Sequence, residues 1–114
     1  MSLLSELKII ITGSSVGLPI ETGVFSDIAP SQYCVLTPLN DIFNYSDDKP
    51  EDDLQAIRIS LFIKENYTTV ARAIVTACIN ADITITYRRY MGHEDDIGYH
   101  HYVIDTEKNY TWEE

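Results

Sequence analysis

The stretch LQAIRISLFIK, residues 54–64, alternates without a break: Ile57, Ile59, Leu61 and Ile63 fall on one side, and Arg58, Ser60 and Phe62 on the other. Successive strand side chains point to opposite faces, so this period of two predicts a strand with one buried face. A slip of one residue would carry all four aliphatics into water, which pins the register of the strand. Something apolar must cover that face, and the next segment supplies it. Asn66 or Thr68 can cap a helix through TTVARAIVTACINA, in which Val70, Ala71, Ile74, Val75, Cys78 and Ile79 form an apolar stripe.

The remaining elements follow from the same two periods. Leu3, Leu4, Leu7, Ile10 and Ile11 stand at helical spacings with Glu6 and Lys8 between them, predicting a short amphipathic helix that Gly13 stops. The glycine- and proline-containing stretch after it reads as an irregular lead-in, with a short strand through Pro19 to Thr22. QYCVLTPLN, residues 32–40, has the content of a strand, and Pro38 places its far end away from a central ladder position. ITITYRRYM directs Ile83, Ile85 and Tyr87 one way, and YHHYVIDTE resumes as a strand, so residues 83–106 predict a β-hairpin. The sum is one small α+β domain over residues 1–114, in the order α-β-β-α-β-β, with an antiparallel or mixed sheet and its helices on one face.

Charge narrows the function classes. Eighteen acids against eight Lys and Arg give a net charge of −10, which opposes a phosphate-gripping surface and excludes a free-standing DNA-binding domain from the expectations. Five acids fall within residues 47–53: Asp47, Asp48, Glu51, Asp52 and Asp53. Such a block repels itself, so the expectation is a loop or flap over residues 44–54. No apolar run reaches membrane length, and Glu6 and Lys8 interrupt the N-terminal apolar patch where a secretory signal would continue, so the protein is expected inside the cell and off the membrane. Asn44, Asn66 and Asn109 match the N-glycosylation pattern, which is read as chance in that setting. Cys34 and Cys78 match no metal spacing and read as small core hydrophobes.

RRYMGHEDDIGYHH, residues 88–101, is the one chemically dense stretch. If its hairpin turns near Asp96 and Ile97, His93 falls opposite His100, with Glu94 and Asp95 beside the tip. Two imidazoles and a carboxylate form a possible divalent-metal set for a hydrolase, but the adjacent His100 and His101 must point to opposite faces, so both cannot serve one site. A solvated acidic turn is the simpler reading. Arg88 and Arg89 also diverge: either both stand exposed to solvent, or one pairs with a carboxylate across the sheet or a subunit boundary and the other lies among Tyr87, Tyr90 and Tyr99. TGSSVG lacks the Walker lysine and the dinucleotide spacing, and no serine elbow, His-Glu-x-x-His or Cys-x-x-Cys motif occurs. The expectation is a protein that is not an enzyme and uses no cofactor.

The order LSELKIIITGSSVGLPIETGVFS, QYCVLTPLND, QAIRISLFIKENYTTVARAIVTACINADITITYRRYMGHEDDIGYHHYVIDTE resembles the tail terminator, or tail completion, proteins of long-tailed bacteriophages and prophages of Gram-positive bacteria. The likeness spans about the whole chain and is strongest in RISLFIKENY and YRRYMGHEDDIGYHHYVID. It implies a ring, commonly a hexamer, at the head-proximal end of the tail tube, made in the host cytoplasm and built into the virion neck. The implied partners are copies of itself, the tail tube protein and the head connector or stopper, with DNA passing nearby without specific binding. Head completion or stopper proteins of the neck are the neighbouring alternative. On this view Arg58, Arg72, Arg88, Arg89, Tyr90, Glu94, Asp95, Asp96 and Tyr99 are candidates for contacts between subunits, and the acidic segment 47–53 is a docking arm or a lumen-facing loop.

Overall fold

In the computed structural model of the chain the described residues are 2–13, 20–21, 32–46, 49–94 and 98–111, with backbone alone at 21, 41–46, 49–51 and 94. Helix α1 (Leu3–Thr12) is followed by strands β1 (Ile20–Glu21), β2 (Gln32–Ser46) and β3 (Lys49–Ile63), helix α2 (Tyr67–Asn80), and strands β4 (Thr84–Glu94) and β5 (Tyr99–Thr111). The five strands form one sheet in the order β1-β2-β3-β5-β4. β1 runs parallel to β2 and every other pair is antiparallel. This is the expected small α+β arrangement, with the short strand expected near residue 20 appearing as two residues at the β2 edge.

The alternation in β3 holds as read. Ile57, Ile59, Leu61 and Ile63 are buried, and they share one core with Cys34 and Leu36 of β2, Ile104 of β5, Leu3, Leu7 and Ile11 of α1, and Ala71, Ile74 and Cys78 of α2. Both helices therefore lie on the same face of the sheet. Each fully buried aliphatic contributes roughly 1.5–3 kcal/mol by leaving water, and interlocking supports from both helices make that face the main source of stability. Buried Thr106 is satisfied by donating from its hydroxyl to the Ile57 carbonyl at 2.9 Å. Ile79 departs from the expected stripe: it is 60% exposed, because the helix face that meets the sheet is centred on Ala71, Ile74 and Cys78.

Local signals set the helix ends. Ser2 caps α1 by accepting from the Ser5 amide at 3.2 Å, and a Cβ at Gly13 would come within 3.0 Å of the Ile9 carbonyl oxygen, so the chain turns away there. Asn66 caps α2, its Oδ1 accepting from the Thr68 amide at 3.1 Å. At the other end Asp82 adopts the left-handed conformation with φ of 60°, and the Ile83 amide reaches back to the Cys78 carbonyl at 2.9 Å. This closes the helix in the Schellman manner and buries Ile83 beneath it. Among the described residues no helix is long and apolar enough to cross a membrane.

The acidic block corrects a sequence expectation. Lys49, Pro50, Glu51, Asp52 and Asp53 lie in β3, not in a flap, with Asp53 opposite Phe43, Asp52 opposite Asn44 and Pro50 opposite Tyr45. Asp52 and Asp53 also pair with Thr111 and Tyr110 of β5. The ladder with β2, joined at Asp52 and Asp53 by the ladder with β5, satisfies the backbone regardless of side-chain repulsion, so composition alone misjudged the segment. Strand β2 likewise runs past Pro38, through a bulge between Pro38 and Asn40. Fifteen-residue strands of about 3.3 Å per residue explain the 54 Å long axis of the molecule. Asp47 and Asp48 lie outside the described residues.

Candidate assembly surface

Strand β4 is the edge of the sheet, and two bulges interrupt its pairing with β5. Partners run Ile85 to Thr106 and then Tyr87 to Asp105, and again Tyr90 to Tyr102 and then Gly92 to His101. Thr86 and Met91 are the extra residues. Because of the first bulge, Tyr87 no longer shares the face of Ile85, as the alternation implied. It joins the face of Arg58 and Asp105 instead, while Arg88 sits opposite Ile104 on the helix-covered face and Arg89 opposite Val103 on the other. Bulges on an edge strand also spoil it as a template for another strand, so a contact here works through side chains.

Those side chains are unusually apolar for an exposed edge. Tyr87 is 44% exposed, Tyr90 40% and Met91 49%, and Arg88 and Arg89 stand exposed among them. Beside the strand, Val75 and Ile79 of α2 together with Ile83, Ile85 and Arg88 line an open groove of about 600 Å³. Arg72 lies on the outer side of α2 against a smaller groove of about 340 Å³ with Thr76 and Asn80. Arg72, Arg88 and Arg89 make no ion pair with another described residue.

Arg58 is different, since it is committed within the chain. Its Nε donates to Asp105 Oδ1 at 2.7 Å and its Nη2 to Oδ2 at 3.0 Å, a forked contact across β3 and β5. The Asp105 hydrogen bond and charge hold the guanidinium above its ordinary pKa. Tyr99 is also withdrawn from any neighbour: it is 3% exposed, edge-on to Tyr33 and Phe62, with Lys64 over its ring at 5.1 Å. Its burial follows from the aromatic row that Tyr33, Phe62 and His101 build across three strands, with stacked centroids at 4.9 and 4.4 Å.

The hairpin end brings His93 opposite His100 as expected, with ring centroids 4.7 Å apart. The rings belong to an aromatic stack: Tyr67 of α2 lies 5.1 Å from Tyr90 and 5.5 Å from Tyr102, and the Tyr90 hydroxyl shares a 2.9 Å hydrogen bond with His100 Nδ1. His101 stacks on Phe62 across the sheet, on the other face, as the strand period required. Glu94 pairs with Tyr99 through the backbone, and Asp95 and Asp96 lie outside the described residues. Among the described residues no group of three or more His, Cys, Asp or Glu side chains converges on a point. The aromatic stack itself, and the part Tyr67 plays in it, were not read from the sequence.

Another cluster that sequence reading missed ties α1 to β5. Lys108 Nζ donates to Glu6 Oε1 at 3.0 Å and to the Ala81 carbonyl at 2.9 Å, and the Tyr110 hydroxyl donates to Glu6 Oε2. Burial pushes the Glu6 carboxyl up, but the hydrogen bonds from Tyr110 and Lys108 and the Lys108 charge outweigh it and leave the pKa below the ordinary value. Burial and the same bond to Glu6 push the Tyr110 phenol up. The only signal was the spacing of Thr106, Lys108 and Tyr110, which places all three on the helix-covered face. Burial raises the thiols of Cys34 to about 12 and Cys78 to about 11, which suits core residues and not nucleophiles.

Comparison with protein-family models and with curated proteins finds no match for this chain.

Proposed function

We propose that this chain is a structural assembly protein of a phage or prophage virion, forming a ring that caps the head-proximal end of a tail tube and joins it to the head connector. The resemblance carried by RISLFIKENY and YRRYMGHEDDIGYHHYVID supports the reading. The observation that carries it furthest is the exposed edge strand on which Tyr87, Tyr90 and Met91 lie beside Arg88 and Arg89. Aromatic, methionine and arginine side chains are the types enriched where proteins meet, and a strand that offers them together is suited to contact with another subunit. The partners are copies of the chain, commonly six in such a ring, the tail tube protein and the connector. A net charge of −10 lets DNA pass the assembly without adhering to it.

Electron microscopy of particles made without this polypeptide tests the proposal. The expected result is tails of irregular length and capsids without attached tails. Tails of normal length joined to filled capsids would overturn it.

A further inference from the structure

We infer that His93 and His100 together bind one divalent transition-metal ion of the zinc or nickel type, and that Tyr90 positions the His100 ring for it.

The local backbone builds the pair. His93 and His100 stand directly opposite each other on β4 and β5, and residues opposed in this way have Cβ atoms about 4.5–5.5 Å apart. Tyr90 lies an odd number of positions before His93, which on a regular strand would send their side chains to opposite faces. The bulge at Met91 adds the missing step, and Gly92, with φ of 125°, takes a backbone conformation that a side chain would resist. Tyr90 and His93 therefore share the helix-covered face with His100, next to Tyr67 at the start of α2.

The spacing of the rings suits two bonds to one ion. An imidazole bonded at roughly 2.1 Å has its ring centre about 3.2 Å from the metal, so two rings on neighbouring corners of an octahedron or square have centres about 4.6 Å apart. The His93 and His100 centres are 4.7 Å apart, and their planes are tilted by 51°, unlike the stacked Phe62 and His101 at 18°.

His100 is oriented in advance. Its Nδ1 and the Tyr90 hydroxyl share a 2.9 Å hydrogen bond. With the proton on Nδ1, the ring donates to that hydroxyl and keeps its Nε2 lone pair for a metal, the outer contact by which metal-bound histidines are commonly fixed. His100 is half-buried and His93 exposed, so one ligand is held in place and the other meets an ion arriving from solvent.

The ligand type selects the metal. Imidazole nitrogen favours the later first-row ions, whereas Mg²⁺ and Ca²⁺ call for oxygen. Two imidazoles alone are assigned to the ion and water completes its coordination, so the pair is a clamp and not the three-ligand centre of a hydrolase. A net charge of −10 draws cations toward the chain. The clamp operates whether or not copies of the chain assemble.

Untagged protein titrated with Ni²⁺ and Zn²⁺ in a calorimeter tests this, with nitrogen NMR of the histidine rings during the Zn²⁺ titration. One ion per chain is expected, with the His93 and His100 ring signals moving together and His101, on the other face, unmoved. His93→Gln and His100→Gln should each weaken Ni²⁺ binding at least about tenfold, and His101→Gln should bind like the wild type. Tyr90→Phe should weaken binding about tenfold and shift the metal-free His100 ring away from the Nδ1–H tautomer. Absence of saturable binding, Zn²⁺ binding that moves neither ring, or unchanged affinity in either His93→Gln or His100→Gln would overturn the site. So would Mg²⁺ binding as tight as that of Ni²⁺, which would assign the ion to carboxylates. Unchanged affinity and tautomer in Tyr90→Phe would overturn the positioning role of Tyr90.

Discussion

Arg58 and Asp105 stand directly opposite each other on β3 and β5, and the guanidinium fork closes on both carboxylate oxygens at 2.7 and 3.0 Å. The pair bridges the two central strands on the face that neither helix covers. Asp105 keeps only 8% of its surface, and the half-buried Arg58 supplies its counter-charge.

Arg58→Met is accordingly expected to lower the urea midpoint, because a nearly buried carboxylate loses its counter-charge. Arg58→Lys should recover part of the loss, since an ammonium cannot span both oxygens. Adding Asp105→Asn to Arg58→Met should also recover stability, by removing the stranded charge. Equal midpoints for the wild type and Arg58→Met would show that the pair contributes nothing to the fold.

The Glu6, Lys108 and Tyr110 cluster predicts how stability follows pH. Glu6 has a lowered pKa in the folded state, so its contribution is complete above the ordinary carboxylate value near 4.5 and is lost as pH falls through the folded value. Tyr110 has a raised pKa, so its contribution is complete below the ordinary phenol value near 10 and is lost as pH rises through the folded value. Glu6→Gln should flatten the acid limb of a stability profile measured by thermal melts, and Tyr110→Phe the alkaline limb. An unchanged acid limb in Glu6→Gln would remove Glu6 from the account.

Core and surface isoleucines should separate cleanly. Ile59 is fully buried at the centre of β3, and Ile59→Ala is expected to cost about 2–5 kcal/mol in chemical denaturation. Ile79 lies on the outer side of α2, and Ile79→Ala should stay within about 0.5 kcal/mol. A large loss from the second change would place Ile79 in the core after all.

What is legible in the sequence follows the same division. Period-two alternation identified the buried face of β3, and the glycine and acid positions put His93 opposite His100, because both signals are local. Three features were not legible. The bulges at Thr86 and Met91 shift Tyr87 to the other face, and a bulge leaves no composition of its own. The acidic strand at 49–53 is held by β2, its hairpin neighbour, and at Asp52 and Asp53 by β5, a partner far along the chain. Glu6 meets Tyr110 from the opposite end of the sequence, a contact that only the fold creates. In the candidate surface, Arg88 and Arg89 were visible as residues, but Arg58 and Tyr99 stood beside them as equals until their intramolecular partners appeared.

Asn66 offers a test confined to one helix end. Its side chain accepts from the Thr68 amide and donates to the Thr69 hydroxyl at 3.2 Å, holding the first turn of α2 over the sheet. Asn66→Ala should cost about 0.5–2 kcal/mol, and Asn66→Asp should remain near the wild type. Loss of equal size in both variants would point to the amide nitrogen and away from the cap.

Cys34 and Cys78 provide the last check, one that reads the packing of β2 and α2 without altering it. Both side chains are fully buried, and their raised pKa values of about 12 and 11 leave almost no thiolate at neutral pH. A disulfide-forming reagent at pH 8 should therefore label neither thiol in the native protein except by waiting for the chain to open. The labelling rate should rise with urea along with the unfolded fraction, in the regime where reclosing outpaces modification. Prompt labelling of Cys78 alone would mean that α2 lifts from the sheet while β2 and β3 stay paired. That outcome would make the helix a separate unit of stability and contradict the single core in which Ile74 and Ile59 are joined.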